Sequence, residues 1–252
     1  MTPQPVRPAP DAAAARRHEL ATGLATVEER IAVACRASGR DRAELTLVVV
    51  TKTYPASDIG LLAGLGVSDV GEARHPEAGR KAEECAAAGL DQLSWHFVGA
   101  VQTNKAAAVA AYASLVHSVD RPRLVSALDR GANRAERVLD CLVQVDLHVD
   151  SDQGSAGARS GVAPAAAAEV AAAVATAAGL RLRGVMGMAP LDGDPAAAFA
   201  RLVEVAEVVR ADHPSAVVLS AGMSGDLEAA VAAGATHLRV GRAVLGERPL
   251  LR

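Results

Sequence analysis

The sequence predicts an α/β protein, a single (β/α)8 barrel of the TIM type with an extra helix in front. Three observations carry that expectation. β-branched apolar runs alternate with Ala-rich segments eight times, with Gly or Pro at the junctions. Several of the runs are almost continuously apolar, as in strands of a parallel sheet covered on both faces. A length of 252 residues suits one such barrel. A doubly wound open sheet is the competing arrangement.

The Pro-rich start MTPQPVRPAP buries nothing and reads as a disordered tail over 1–12, leaving 13–252 as one domain. Ala, Glu and Arg with apolar residues at helical spacing predict the leading helix over 11–38. The expected strands are 45–52 (LTLVVVTK), 67–73 (VSDVGEA), 94–99 (SWHFVG), 114–120 (SLVHSVD), 140–147 (DCLVQVDL), 180–189 (LRLRGVMGMA), 216–223 (AVVLSAGM) and 237–246 (HLRVGRAVLG). Helices are expected between them over 56–65, 76–88, 103–112, 121–136, 164–178, 195–212 and 224–234. The Gly- and Ser-rich stretch 151–161 (SDQGSAGARSG) predicts a long loop after the fifth strand, on the face where barrels build their sites.

Composition narrows the function classes. Half of the residues are hydrophobic but only 2% aromatic, so the core must be Ala, Val and Leu. A net charge of -3 without any Lys/Arg-rich run argues against nucleic acid and anionic membranes as partners. No apolar run has the length of a membrane helix, and the N-terminus lacks a signal-peptide core, so a cytoplasmic protein is expected. Cys35, Cys85 and Cys141 are widely spaced and odd in number, which fits reduced thiols and no metal site.

Three segments offer chemistry. Lys52 ends a run expected to be buried, where a lowered amine pKa would make it a Schiff-base former; a packed stem with its ammonium in water is the other reading. In LSAGMSGDLEAA the strand passes through Gly222-Met223-Ser224-Gly225 into a helix, which offers backbone donors to an anion, or else an ordinary cap by Ser224 or Asp226. In THLRVGRAVLG, alternation puts Arg239 and Gly241 on one face, suited to a ligand acceptor and a phosphate, or to a structural ion pair and a bend. Barrels often bind phosphate at the loops after strands seven and eight, which these last two segments occupy. Glu72, His96, His117, Asp120 and Asp146 fall inside expected strands and need hydrogen-bond partners there.

The segments VVVTKTYPASDI, DVGEARHPEA, WHFVGAVQTNK, LVHSVDR, LRGVMGMAP and LSAGMSGDLEAAVAAGATHLRVGRAVLG, over about residues 20–248, resemble the pyridoxal phosphate (PLP) homeostasis protein family. That family is similar to the N-terminal barrel of alanine racemases, of fold type III, without their second domain. The resemblance implies PLP as cofactor and Lys52 as its Schiff-base lysine. It implies Ser224 and the Gly241-Arg242 backbone as phosphate positions, Arg239 facing the pyridine nitrogen, and Met223 at the motif's methionine. Two departures stand out: Ala73 where the family usually has Asn, and Arg242 where Thr is usual. The Asn hydrogen bond is worth about 0.5–1.5 kcal/mol net.

Arginine only donates, so it would leave the pyridine nitrogen unprotonated and weaken the ring as an electron sink. The resemblance places a similar arginine in alanine racemases, so it does not by itself exclude catalysis; more weight falls on the tyrosine acid/base that the racemases take from a domain that the resemblance does not cover. The expectation is therefore a PLP carrier in PLP homeostasis and amino-acid balance, monomeric, with PLP-dependent apo-enzymes as recipients. A weak amino-acid racemase is the alternative, and a sugar-phosphate enzyme using Lys52 as an aldolase-like amine is a third reading.

Overall fold

A computed structural model describes residues 10–148 and 161–247. Residues 1–9 of the expected 1–12 tail and all of the 151–161 loop except Gly161 lie outside the described residues. The leading helix α1 (Pro10–Ala37) begins inside the stretch assigned to the tail, because Pro at a first turn costs no hydrogen bond.

Eight parallel strands follow: β1 (Thr46–Val50), β2 (Asp69–Glu72), β3 (Ser94–Phe97), β4 (Leu115–Val119), β5 (Leu139–Val145), β6 (Leu180–Gly187), β7 (Val218–Ser220) and β8 (His237–Val240). They close in sequence order, β8 pairing with β1, so the barrel holds and the open sheet does not. The connecting helices are α2 (Ala56–Ala63), α3 (Glu77–Ala87), α4 (Ala106–Tyr112), α5 (Pro122–Arg134), α6 (Ala167–Thr176), α7 (Pro195–Asp212) and α8 (Leu227–Ala232). The eighth strand is shorter than expected. At Gly241 the chain turns into a one-turn helix, α9 (Arg242–Leu245), because Val244 and Leu245 bury against α1 instead of continuing the sheet. There α1 approaches so closely that a Cβ on Gly23 would lie 2.4 Å from the Val244 carbonyl oxygen.

The core is aliphatic, as composition requires, and the three cysteines are free and buried in it. Helix α1 ties the first and last units together. Arg16 donates to buried Asp58 of α2 at 2.7 Å and to the Leu245 carbonyl at 3.0 Å, and Arg40, just past the end of α1, reaches the Val231 and Ala235 carbonyls at 3.0 and 2.8 Å. Inside the barrel, Leu115, Leu142, Met186 and Val218 form an apolar half. The other half is polar and contains His96, His117, Ser220 and Arg239. No helix among the described residues is long and apolar enough to cross a membrane.

Candidate functional site

At the C-terminal mouth of the barrel lies a cleft of about 460 Å³ whose wall includes Lys52, Met223, Ser224, Arg239, Gly241 and Arg242. These residues come from the ends of β1, β7 and β8, so the fold brings together all six positions singled out by sequence.

Lys52 stands two residues beyond the end of β1, part-exposed, rather than inside a strand buried on both faces. Its neighbours are firmly held. The Thr51 hydroxyl donates to Glu72 at 2.7 Å, and the Thr53 amide donates to Glu77 at 2.9 Å. Lys81 joins both acids, at 2.8 Å each, and donates to the Thr51 carbonyl at 3.1 Å. Thr53 itself adopts φ +73°, a left-handed conformation that a β-branched residue rarely takes. Glu72 therefore anchors the Thr51 hydroxyl and Lys81, while Lys81 and Glu77 hold the backbone on either side of Lys52. Burial pushes its carboxyl above the usual range, and the Lys81 ammonium only partly offsets this.

Beyond β7 the turn forms because Gly222 takes φ +88°, where a Cβ would come within 2.6 Å of the Ala230 Cβ. The Met223 amide donates to the Asp226 carboxylate at 2.5 Å. Asp226 precedes α8 without capping it, and Ser224 does not cap it either, so the ordinary-cap reading falls. The amides of Ser224, Gly225, Gly241 and Arg242 donate to no backbone carbonyl among the described residues, and all four residues line the cleft. Together with the Ser224 hydroxyl and the exposed Arg242 guanidinium they form a donor set for an anion.

Arg239 is buried and forms no ion pair among the described residues. Its Nη1 donates to Ser220 Oγ at 2.5 Å and its Nη2 to the Gly187 carbonyl at 2.9 Å. Burial lowers the guanidinium to about 10, against the opposing Asp226 charge, so it stays cationic at neutral pH. The ion-pair reading of Arg239 fails, and a cation directed at the cleft remains.

The other polar strand residues separate. His96 and His117 hydrogen-bond to each other at 2.9 Å inside the barrel. Asp120 and Asp146 lie just past β4 and β5 and pair locally, Asp120 with Arg121 and Asp146 with His148 at 2.7 Å. Ala73 lines a smaller cavity of about 210 Å³, with His75, Phe97 and Lys105, rather than the main cleft. Sequence reasoning missed Ser220 and the segment after β6, where Leu191 overhangs the cleft at 97% exposure. The chain had signalled that segment through LRGVMGMAP, but an apolar turn residue carries no chemistry of its own.

The model of the alanine racemase N-terminal domain matches residues 23–249. A pyridoxal phosphate homeostasis protein of Mycobacterium tuberculosis is 44% identical over 249 residues, 93% of this chain and 95% of the relative. One from Escherichia coli is 35% identical over 238 residues, 92% of this chain and 97% of the relative. Among solved structures, PipY of Synechococcus elongatus with PLP bound superposes with a TM-score of 0.75 at 29% identity, over 90% of this chain and all of PipY. An alanine racemase from Corynebacterium glutamicum shares the fold at a TM-score of 0.66 and 15% identity; this chain covers 63% of it. The chain belongs to the pyridoxal phosphate homeostasis protein family, which is built on the barrel of the alanine racemase N-terminal domain.

Proposed function

We propose that this protein binds PLP in the C-terminal cleft, covalently but reversibly through Lys52, and acts in intracellular PLP homeostasis. The observation that carries the reading is the convergence on one cleft of an amine, an anion donor set and a buried cation. Their chemistry matches the aldehyde, phosphate and pyridine nitrogen of that cofactor. Lys52 would hold the cofactor through its amine, which can condense with an aldehyde with loss of one water and would be freed again by water or an incoming amine. Ser224 and the amides of Gly241 and Arg242 hold the phosphate, while Met223 packs the turn between them and Arg239 faces the ring nitrogen.

When bound, PLP supplies an electron sink that is strongest with its ring nitrogen protonated. Arg239 holds only donors toward that nitrogen and would weaken that sink without excluding racemase chemistry; the likeness to pyridoxal phosphate homeostasis proteins over more than nine-tenths of the chain is what favours a carrier. In the carrier reading the protein is a cytoplasmic monomer, masks the aldehyde, releases PLP to apo-enzymes and thereby influences amino-acid balance.

The test is to load wild type and Lys52→Ala with PLP, desalt, record the visible spectrum, reduce with borohydride and map the adduct. An imine band in wild type alone, with the adduct on Lys52, is expected. Absence of retained PLP in wild type overturns the reading. Amino-acid racemisation at full occupancy, abolished by Lys52→Ala, would overturn the carrier assignment.

A further inference from the structure

The polar half of the barrel interior is a continuous hydrogen-bonded column. Arg239 Nη1 contacts Ser220 Oγ at 2.5 Å, and Ser220 Oγ contacts His117 Nδ1 at 2.9 Å. His117 Nε2 contacts His96 Nδ1 at 2.9 Å, and His96 Nε2 contacts Asp69 Oδ1 at 2.9 Å. Asp69 is the first residue of β2, at the N-terminal mouth, and its second oxygen accepts from the Ser68 hydroxyl at 2.6 Å. The column thus spans the barrel from the cleft to the opposite face.

Its two ends fix its protons. Arg239 can only donate and the Asp69 carboxylate can only accept. With Arg239 donating into it, Ser220 passes its own proton to His117 Nδ1. His117 must then carry its proton on Nε2 and donate to His96 Nδ1, and His96 in turn donates from Nε2 to Asp69. Every bond points from Arg239 to Asp69, with both imidazoles neutral and in the Nε2–H tautomer. Reversing the order would need a doubly protonated His96 in the same interior as Arg239, and would take from the Ser220 hydroxyl its acceptor at His117. Burial foremost, with the Arg239 charge adding to it, holds His117 far below the ordinary histidine range, which agrees with the neutral form. His237 flanks the column, its ring centroid 6.0 Å from His96 and 6.3 Å from His117, with Nδ1 against the Thr236 hydroxyl at 3.0 Å.

We infer that Asp69 is a positioning residue for the cleft at the opposite mouth: through His96, His117 and Ser220 it locks the orientation of Arg239, and so aims the donors that meet the ring nitrogen of PLP. The inference rests on the PLP reading for its ligand, but the proton order of the column stands without any ligand.

The experiment uses full-length protein labelled with 15N-histidine, with and without PLP, as wild type, Asp69→Asn, Asp69→Glu, Ser220→Ala and the Asp69→Asn/Ser220→Ala double variant. Imidazole 15N spectra of the PLP-free wild type are expected to show His96 and His117 as Nε2–H tautomers. Asp69→Asn can present an oxygen or an NH2 to His96, so mixed tautomers are expected, with Asp69→Glu restoring one. Asp69→Asn should also shift the bound-PLP absorption band and weaken PLP binding about 3- to 10-fold, the scale of a factor of ten per 1.4 kcal/mol. In the Ser220→Ala background the same change should alter neither, because the link is cut. A single Nδ1–H tautomer in wild type overturns the proton order. An Asp69→Asn effect on PLP that survives Ser220→Ala overturns the route. If wild type binds no PLP, the cleft reading fails, while the tautomer result still decides the column.

Discussion

The Thr53 amide donates to the Glu77 carboxylate at 2.9 Å while Thr53 stands at φ +73° and its buried hydroxyl finds no partner among the described residues. A strained residue with an orphaned hydroxyl immediately after Lys52 indicates that the turn is held from outside, by Glu77, Lys81 and Glu72. Thr53→Gly relieves the left-handed strain, about 1–2 kcal/mol, and removes the orphan. It also gives the unfolded chain more freedom, costing roughly 0.5–1 kcal/mol. The expected outcome is a melting temperature equal to or slightly above wild type, together with weaker PLP retention as Lys52 loosens. A variant that loses several degrees would show that the conformation is not strained.

Lys81 is the partner of a buried acid, and its loss has a pH signature. Lys81→Met leaves Glu72 uncompensated, which should destabilise the fold by about 3–5 kcal/mol at neutral pH. The Glu72 carboxyl is already raised in the folded state, by burial first, and removing Lys81 raises it further. The folded state then binds the proton more tightly than the unfolded one, so the deficit shrinks as pH falls toward the ordinary carboxyl range. Urea unfolding of wild type and variant at pH 8 and pH 5 checks this; a deficit that grows at pH 5 would contradict it.

The barrel was readable because its strands are punctuated apolar runs, and every expected strand and helix has its counterpart. Its ends were less so. VGRAVLG alternates like a strand, and only the packing of Val244 and Leu245 on α1 makes it helical, a contact between the first and last elements that local pattern cannot hold. The cleft residues were legible because each carries its own chemistry or stands in a Gly-rich turn. Asp69 and Ser220 were not, since a short polar residue in a strand gains meaning only from what lies across the barrel from it.

Acid should weaken the fold before carboxylates titrate. Burial above all lowers His237 to about 4, and His117 is lowered as well. A depressed folded value contributes stability that is present above the unfolded value of 6.5 and lost as pH falls through the window down to about 4. Denaturant midpoints measured from pH 7.5 to 4.5 should therefore fall, and His237→Gln should flatten part of that slope. An unchanged slope in the variant would mean that His237 is accessible enough to protonate in place.

Gly222 gives the sharpest separation of fold from site. At φ +88° an alanine would be strained, and its Cβ would lie 2.6 Å from the Ala230 Cβ and 2.9 Å from the Leu238 Cδ2. The Leu238 contact can shift by a rotamer, but Ala230 sits on α8 and has no rotamer to change, so α8 and the turn after β7 must move apart. Overpacking of this kind costs about 1–3 kcal/mol, and the left-handed conformation adds about 1 kcal/mol more. The displaced segment carries Ser224 and Gly225, two of the four amides of the anion donor set. Gly222→Ala should thus lose several degrees of melting temperature and bind inorganic phosphate or PLP more weakly. Lys52 lies across the cleft, just past β1, so any PLP still retained should reduce onto Lys52 as in wild type. Normal phosphate affinity in a destabilised variant would show that the donors of β8 and α9 suffice and that the β7 turn serves the fold alone.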